Sequence, residues 1–134
     1  MSCNVYLFFD GNCREALAFY SSVFNLPMPQ IQTYGDAPGQ PDGAASADHK
    51  RVLHAMLPIA GSNMMFSDCP TNFNHIAGNN FAVSLGYEDT QEVQRVFAAL
   101  QAGGTVNMPL GKTFFSELFG MVTDKFGITW QVGI

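Results

Sequence analysis

His54-Ala55-Met56-Leu57-Pro58-Ile59-Ala60-Gly61-Ser62-Asn63-Met64 lies over Phe119-Gly120-Met121-Val122-Thr123-Asp124-Lys125-Phe126-Gly127-Ile128-Thr129-Trp130 as two versions of one hairpin. In each, an extended apolar run breaks at a turn glycine and an extended segment returns; the second turn holds one extra residue. Two hairpins of one kind in a short chain signal an internal repeat. Working outward, the segments flanking both hairpins also match in order.

Upstream of the first hairpin, residues 5–9 (Val-Tyr-Leu-Phe-Phe) read as a strand that stops at Asp10-Gly11. Asn12 with Glu15 three residues later forms a capping-box-like helix start. Leu17, Tyr20 and Phe24, joined by Ala16 and Val23, then make one apolar helical face. Asn25 suits a left-handed helix end and Pro27 forbids continuation. Residues 31–34 read as a second strand, residues 35–50 as a long loop, and residues 52–59 and 63–66 as the hairpin. Residues 68–79 are a linker.

The second half repeats the programme. Residues 81–87 read as a strand. Asp89 caps a helix with Glu92 at its third position, and Val93, Val96, Phe97 and Leu100 fall at helical spacing. Gly103-Gly104 ends that helix. Residues 105–110 are a strand, residues 114–116 start another, and residues 119–123 and 127–132 close as a hairpin. Strand, helix, strand, strand, strand, done twice, predicts an α+β fold of two βαβββ modules, residues 1–69 and 79–134, within one domain spanning 1–134. A ferredoxin-like fold lacks the extra strands, and a doubly wound sheet needs more helices.

Composition bounds the function classes. The net charge is −5 with only six Lys and Arg residues, scattered along the chain. A nucleic-acid binder needs a basic stripe to release counterions, so no nucleic-acid partner is expected. Charged residues make up 13% against 47% hydrophobic, which leaves apolar surface to cover and predicts a homodimer. No run approaches the length of a membrane helix, and residues 5–9 are too short for a signal-peptide core. Cys3, Cys13 and Cys69 lack CxxC spacing and read as reduced thiols. The expectation is a cytoplasmic protein with no membrane partner.

Several stretches carry a family resemblance. These are Tyr6-Leu7-Phe8-Phe9-Asp10-Gly11-Asn12-Cys13-Arg14-Glu15-Ala16-Leu17-Ala18-Phe19-Tyr20, Thr33-Tyr34-Gly35-Asp36-Ala37-Pro38, Gly78-Asn79-Asn80-Phe81, Gly103-Gly104-Thr105-Val106-Asn107-Met108-Pro109-Leu110, and the segment from Phe119 to Trp130. In that order they span nearly the whole chain, which resembles the PhnB-like branch of the vicinal-oxygen-chelate (glyoxalase/bleomycin-resistance/dioxygenase) superfamily. The resemblance implies a cup-shaped mixed sheet with helices on its outer face, usually dimeric. Relatives with that cup include metal-dependent isomerases, lyases, dioxygenases and thiol transferases, and metal-free antibiotic-binding proteins, so function stays open.

Strand alternation tests the cup idea independently. Ile128, Trp130 and Val132 share one face of the last strand, and Thr129 and Gln131 the other. Leu53, Leu57 and Ile59 alternate with His54 and Met56 in the first hairpin. One face is strongly apolar and suits the helices; the other carries His54, Gln131, Thr129 and Ser84 among apolar neighbours, the mixture of a pocket with a few placed polar groups. The competing reading is that these groups simply meet water.

The resemblance places metal ligands on the first strand and the hairpin of each half, which here means Val5, His54, Ala82 or Ser84, and Gln131. Only His54 is a good donor, whereas a divalent metal wants three or four. His49 and His75 fall outside those positions. No cofactor is therefore expected. Glu117, near the last hairpin, is a candidate base where it points inward. Cys13 sits in a helix first turn, where the dipole lowers a thiol pKa. Phe114 and Phe115 suit a cup wall, a dimer seam or the core. Members of the branch are often described as methyltransferase-like, yet Asp10-Gly11-Asn12 holds one glycine and no glycine-rich turn.

The leading expectation is a metal-independent, homodimeric small-molecule binding protein with His54, Gln131, Ser84, Thr129 and Glu117 facing the ligand. The alternative is a metal-assisted lyase, isomerase or thiol transferase using His54 and Gln131. A third reading is an interaction protein with a solvent-filled cup.

Overall fold

The computed structural model describes residues 1–37 and 48–134. Two compact units follow one another, Met1–Ile76 and Ala77–Ile134. The first holds β1 (Tyr6–Phe9), α1 (Cys13–Val23), β2 (Gln32–Thr33), a 3-10 turn (Tyr34–Asp36), β3 (Val52–Ile59) and β4 (Ser62–Asp68). The second holds β5 (Val83–Gly86), α2 (Thr90–Gln101), β6 (Thr105–Gly111), β7 (Phe119–Thr123) and β8 (Thr129–Gly133). The α+β class and the twice-used βαβββ order are as the sequence predicts.

Each unit is a four-stranded mixed sheet, with orders β1-β4-β3-β2 and β5-β8-β7-β6. The first strand of each unit lies parallel to the last, while β3 and β4, and β7 and β8, pair antiparallel as hairpins. The same topology in both halves follows from the same pattern. A capped helix forces a crossover between the first two strands, and a tight turn forces the last two together.

In the first unit the core is made by Leu7, Phe9, Ala16, Leu17, Tyr20, Ala55, Leu57, Ile59, Met64 and Phe66, all buried. In the second it is made by Val83, Leu85, Val93, Val96, Phe97, Leu100, Val122, Trp130 and Val132. The helical residues in these sets recur at 3.6-residue spacing and the strand residues at spacing two, so each helix covers one face of its sheet. Each large apolar side chain buried this way contributes about 1.5–3 kcal/mol. The other sheet face of each unit carries the remaining alternation.

Helix ends show where local sequence decides and where it does not. Asp89 caps α2 as expected, accepting the Gln91 N–H at 2.9 Å, although Glu92 pairs with Arg95 at 3.0 Å instead of reaching back. Asn12 makes no side-chain cap on α1. The capping box expected from Asn12 and Glu15 is replaced by Asp68 at the end of β4, which accepts from Gly11 N–H at 2.8 Å and Cys13 N–H at 3.0 Å. Asn25 closes α1 with φ 53°, the left-handed end its side chain tolerates.

One further expectation is corrected. Residues 114–116 form a turn, not a strand: Thr113 N–H donates to the Ser116 carbonyl at 2.9 Å, and Ser116 N–H donates to Thr113 Oγ1 at 3.0 Å. Side-chain hydroxyls here take the backbone partners that a ladder would use. Most of the long loop predicted over residues 35–50 lies outside the described residues. Its C-terminal end is held by Asp48, whose Oδ1 accepts the Thr71 N–H at 2.9 Å.

The β3–β4 turn has two central residues, Ala60 and Gly61, with φ of 48° and 84°. Both are left-handed, as a type I′ hairpin requires, and a Cβ-bearing alanine is strained there. Ala60→Asn is expected to stabilise the protein by about 0.5–1 kcal/mol, because asparagine tolerates this backbone region. Urea melts of the two proteins, with an unchanged slope and a higher midpoint, are the check.

Candidate functional site

The helix-free face of each sheet is where unassigned polar groups collect. On the first unit, the register Tyr6↔Met65 and Met56↔Met65 puts Tyr6, Met65 and Met56 in one row across three strands. Phe8, two residues along β1, shares that face. Tyr6, Phe8 and Met56 remain 37%, 56% and 45% exposed, an unusual concentration of large apolar side chains in one place. The Tyr6 and Phe8 rings stack with centroids 5.0 Å apart and planes at 22°.

His54 lies on the same face of β3 and is half-buried. Its Nδ1 lies 3.2 Å from the Tyr6 hydroxyl, and the two rings are tilted at 45° with centroids 5.8 Å apart. The structure thus joins His54 to an aromatic partner that sequence reasoning passed over. The signal was present: β1 is aromatic on both faces, with Tyr6 and Phe8 alternating against Leu7 and Phe9, yet only one face can enter the core. His75 in the linker donates from Nε2 to the Phe8 carbonyl, 3.1 Å away.

On the second unit, Ser84 pairs with Gln131, which pairs in turn with Met121. Ser84 is exposed and Gln131 half-buried, while Trp130 beside it is fully buried. The strand register therefore splits Trp130 from Gln131 as alternation predicts. Thr129 sits one row along, its hydroxyl 2.9 Å from that of Thr123, which also donates to Asn107 Oδ1 at 2.9 Å. Thr123 has one hydrogen, so Thr129 donates to it. Ser84, Gln131 and Thr129 share this face; Glu117 is exposed in the turn before β7. His54 belongs to the other unit.

The thiol chemistry is quiet. Cys13 is fully buried, and that burial, with the Asp68 carboxylate beside it, pushes its thiol far above the ordinary range. Desolvation outweighs the helix dipole, so Cys13 is a core residue and not a nucleophile. Burial raises the Cys69 thiol as well.

The metal donors do not assemble either. Among the described residues, no group of three His, Cys, Asp or Glu side chains is placed to hold one ion. His54 offers a single imidazole with Nδ1 engaged by Tyr6, so the described residues do not fit a resident divalent metal.

The family described as 3-demethylubiquinone-9 3-methyltransferase matches residues 2–133. The chain belongs to that PhnB-like family. Protein YjdN of Escherichia coli (strain K12) is 32% identical over 100% of this chain and 95% of its own. A crystal structure of a Pseudomonas aeruginosa protein aligns with a TM-score of 0.88 at 33% identity, covering 99% of this chain and 96% of that one. The PhnB protein from Bacillus cereus aligns with a TM-score of 0.78 at 29% identity, covering 99% and 98%. A glyoxalase/bleomycin resistance protein/dioxygenase family enzyme from Burkholderia phytofirmans PsJN shares the fold, with a TM-score of 0.61 at 16% identity over 96% and 93%.

The PhnB-like family's description names methyl transfer, and the turn that would take a nucleotide-bearing methyl donor does not fit one. Such a group docks where a glycine-rich turn leaves helix N–H donors free. Here the Gly11 and Cys13 N–H groups are spent on Asp68. A Cβ at Gly11 would stand 3.1 Å from the Arg51 guanidinium, so the turn is also closed by a side chain. No methyl-transfer step follows from these residues. Among the described residues, no helix is long and apolar enough to cross a membrane.

Proposed function

We propose that this PhnB-like protein binds a small organic molecule on the helix-free sheet face of its first module, without a metal, as a cytoplasmic homodimer. The observation that carries the reading is the Tyr6–Phe8–His54–Met56 surface: exposed apolar side chains around one hydrogen-bonded imidazole. Water gains nothing from such a face, whereas an apolar ligand with one polar group does. Ser84, Gln131 and Thr129 supply a second set of neutral hydrogen-bonding groups on the other module. The fold it shares with glyoxalase/bleomycin resistance proteins supports the binding class.

Solvent extraction of natively purified protein, followed by mass spectrometry, is expected to release one organic compound in stoichiometric amount. Its absence from a His54→Ala, Phe8→Ala double variant would tie it to this face. EDTA is expected to leave the Tm unchanged, because removing a native-state ligand is what lowers it. A fall restored by one divalent metal would replace this reading with the metal-assisted enzyme.

The homodimer is supported by Phe114, Phe115 and Ile134, which are 101%, 58% and 40% exposed on the single chain. Phe115 packs edge-on to Phe114 and Phe119 at 5.2 and 5.0 Å, so the cluster is preformed. Light scattering is expected to return twice the 14.6 kDa chain mass, and Phe114→Ser with Phe115→Ser to return the chain mass alone.

A further inference from the structure

We propose that Tyr6, Phe8 and His54 form a subsite for a flat, uncharged aromatic ligand carrying a hydrogen-bond acceptor, and that Tyr6 sets which imidazole nitrogen faces it. This rests on the binding reading above and names the ligand class of that face.

The ring geometry argues for a flat ligand. Tyr6 and Phe8 stand side by side at 5.0 Å and 22°, and both stay exposed. A third ring can extend that stack within the 4.5–7 Å range in which aromatic pairs attract. The strand register sets Met65 beside Tyr6 and Met56 one strand beyond it, and these thioethers favour ring contact over contact with a saturated chain.

The surroundings argue for an uncharged one. Among the described residues, the side chains that the strand register puts on this face are Tyr6 and Phe8 on β1, Asn63, Met65 and Ser67 on β4, His54, Met56 and Pro58 on β3, and Gln32 on β2. None is Asp, Glu, Lys or Arg, so a charged ligand would lose water here without meeting a counter-ion. The chain as a whole carries −5, which further disfavours an anion.

The hydrogen bond argues for an acceptor. A phenol is a good donor and a poor acceptor, so we assign the Tyr6 hydroxyl as the hydrogen-bond donor to His54 Nδ1 across 3.2 Å. The neutral imidazole then carries its hydrogen on Nε2, the nitrogen on the far side of the ring. That N–H calls for a carbonyl or similar acceptor. Tyr6 is thus both a ring wall and a positioning residue for His54.

Acetophenone and cyclohexyl methyl ketone carry the same acceptor on a flat and a puckered ring. Titrations at millimolar concentration, followed by the methyl signals of Met56 and Met65, compare them. Acetophenone is expected to move both signals and to bind about five-fold more tightly than the saturated ketone, the scale of one aromatic pair. Phe8→Ala is expected to erase that preference; Phe8 is exposed, so the variant folds. Imidazole nitrogen shifts should show the Nε2–H form of His54, and Tyr6→Phe should mix the tautomers, which a purely structural role would not do. Equal binding of the two ketones would overturn the aromatic class and leave the binding reading standing. An Nδ1–H form in the unaltered protein would overturn the role given to Tyr6. No methyl movement with either ketone would overturn both the inference and the reading beneath it.

Discussion

Trp130→Ala is expected to cost about 3–5 kcal/mol of stability, the range for a large aromatic removed from a core. Trp130 is fully buried on β8, between β5 and β7. It is held by more than packing: its Nε1–H donates to Asp124 Oδ2 at 2.9 Å, and Asp124 is itself 3% exposed. Asp124 Oδ1 meanwhile accepts from Phe126 N–H at 2.8 Å and Ile128 N–H at 3.1 Å, which shapes the β7–β8 turn. Truncation therefore opens a cavity and takes a donor from a buried carboxylate, placing the cost at the upper end. Trp130→Phe keeps most of the volume and isolates the second effect, at about 1–3 kcal/mol. Gln131→Ala, one residue along on the opposite face, is expected to stay within about 1 kcal/mol. Urea melts followed by circular dichroism rank the three, since Trp130 is the chain's one tryptophan and its fluorescence is lost on substitution. A larger cost at Gln131 than at Trp130 would mean the strand is shifted by one residue.

Asp68→Ala should be comparably damaging, at about 3–5 kcal/mol, because it strips the acceptor from buried backbone donors. The carboxylate is 2% exposed and accepts Gly11 N–H and Cys13 N–H on Oδ1 and Val52 N–H on Oδ2, the last at 2.9 Å. One side chain thus ties together the start of α1, the start of β3 and the end of β4. Arg51 lies beside this cluster, donating to Asp10 at 3.0 Å and to the Cys69 carbonyl at 2.7 Å, and its charge offsets the cost of burying the Asp68 anion. Asp68→Asn is expected to be milder, at about 2–3 kcal/mol: an amide oxygen still serves two donors, but its NH2 then meets the Val52 N–H. Amide exchange at Gly11, Cys13 and Val52 should accelerate in both variants. Protection there with stability unchanged would show that water replaces the carboxylate.

Much of the fold was legible because period and punctuation agree along the chain. Val93, Val96, Phe97 and Leu100 recur at helical spacing behind Asp89, and all four are buried on one face of α2. Ala55 to Ile59 alternates buried and exposed up to the Ala60-Gly61 turn, and β3 spans Val52–Ile59, the bounds expected. These are local signals, set by backbone sterics and by which side chains leave water. Where a signal was local but had a competitor, it failed. Asn12 and Glu15 carry the spacing of a capping box, yet a carboxylate 55 residues beyond Cys13 takes the first N–H group of α1. Residues 114–116 are aromatic enough for a strand, but the Thr113 and Ser116 hydroxyls bind the backbone first.

The candidate site was legible only in part, and for the same reason. His54, Gln131, Ser84 and Thr129 were placed on the face opposite the core by alternation alone, and the structure keeps them there. Tyr6 was missed because a strand with aromatics on both sides does not say which pair enters the core. Hydrophobicity is a property of each residue, so sequence determined the two βαβββ modules, their cores and the faces left over. Pairing is a property of positions brought together, so only the tertiary structure decided that Asp68 caps α1, that Asp124 meets Trp130, and that the Tyr6 hydroxyl reaches His54.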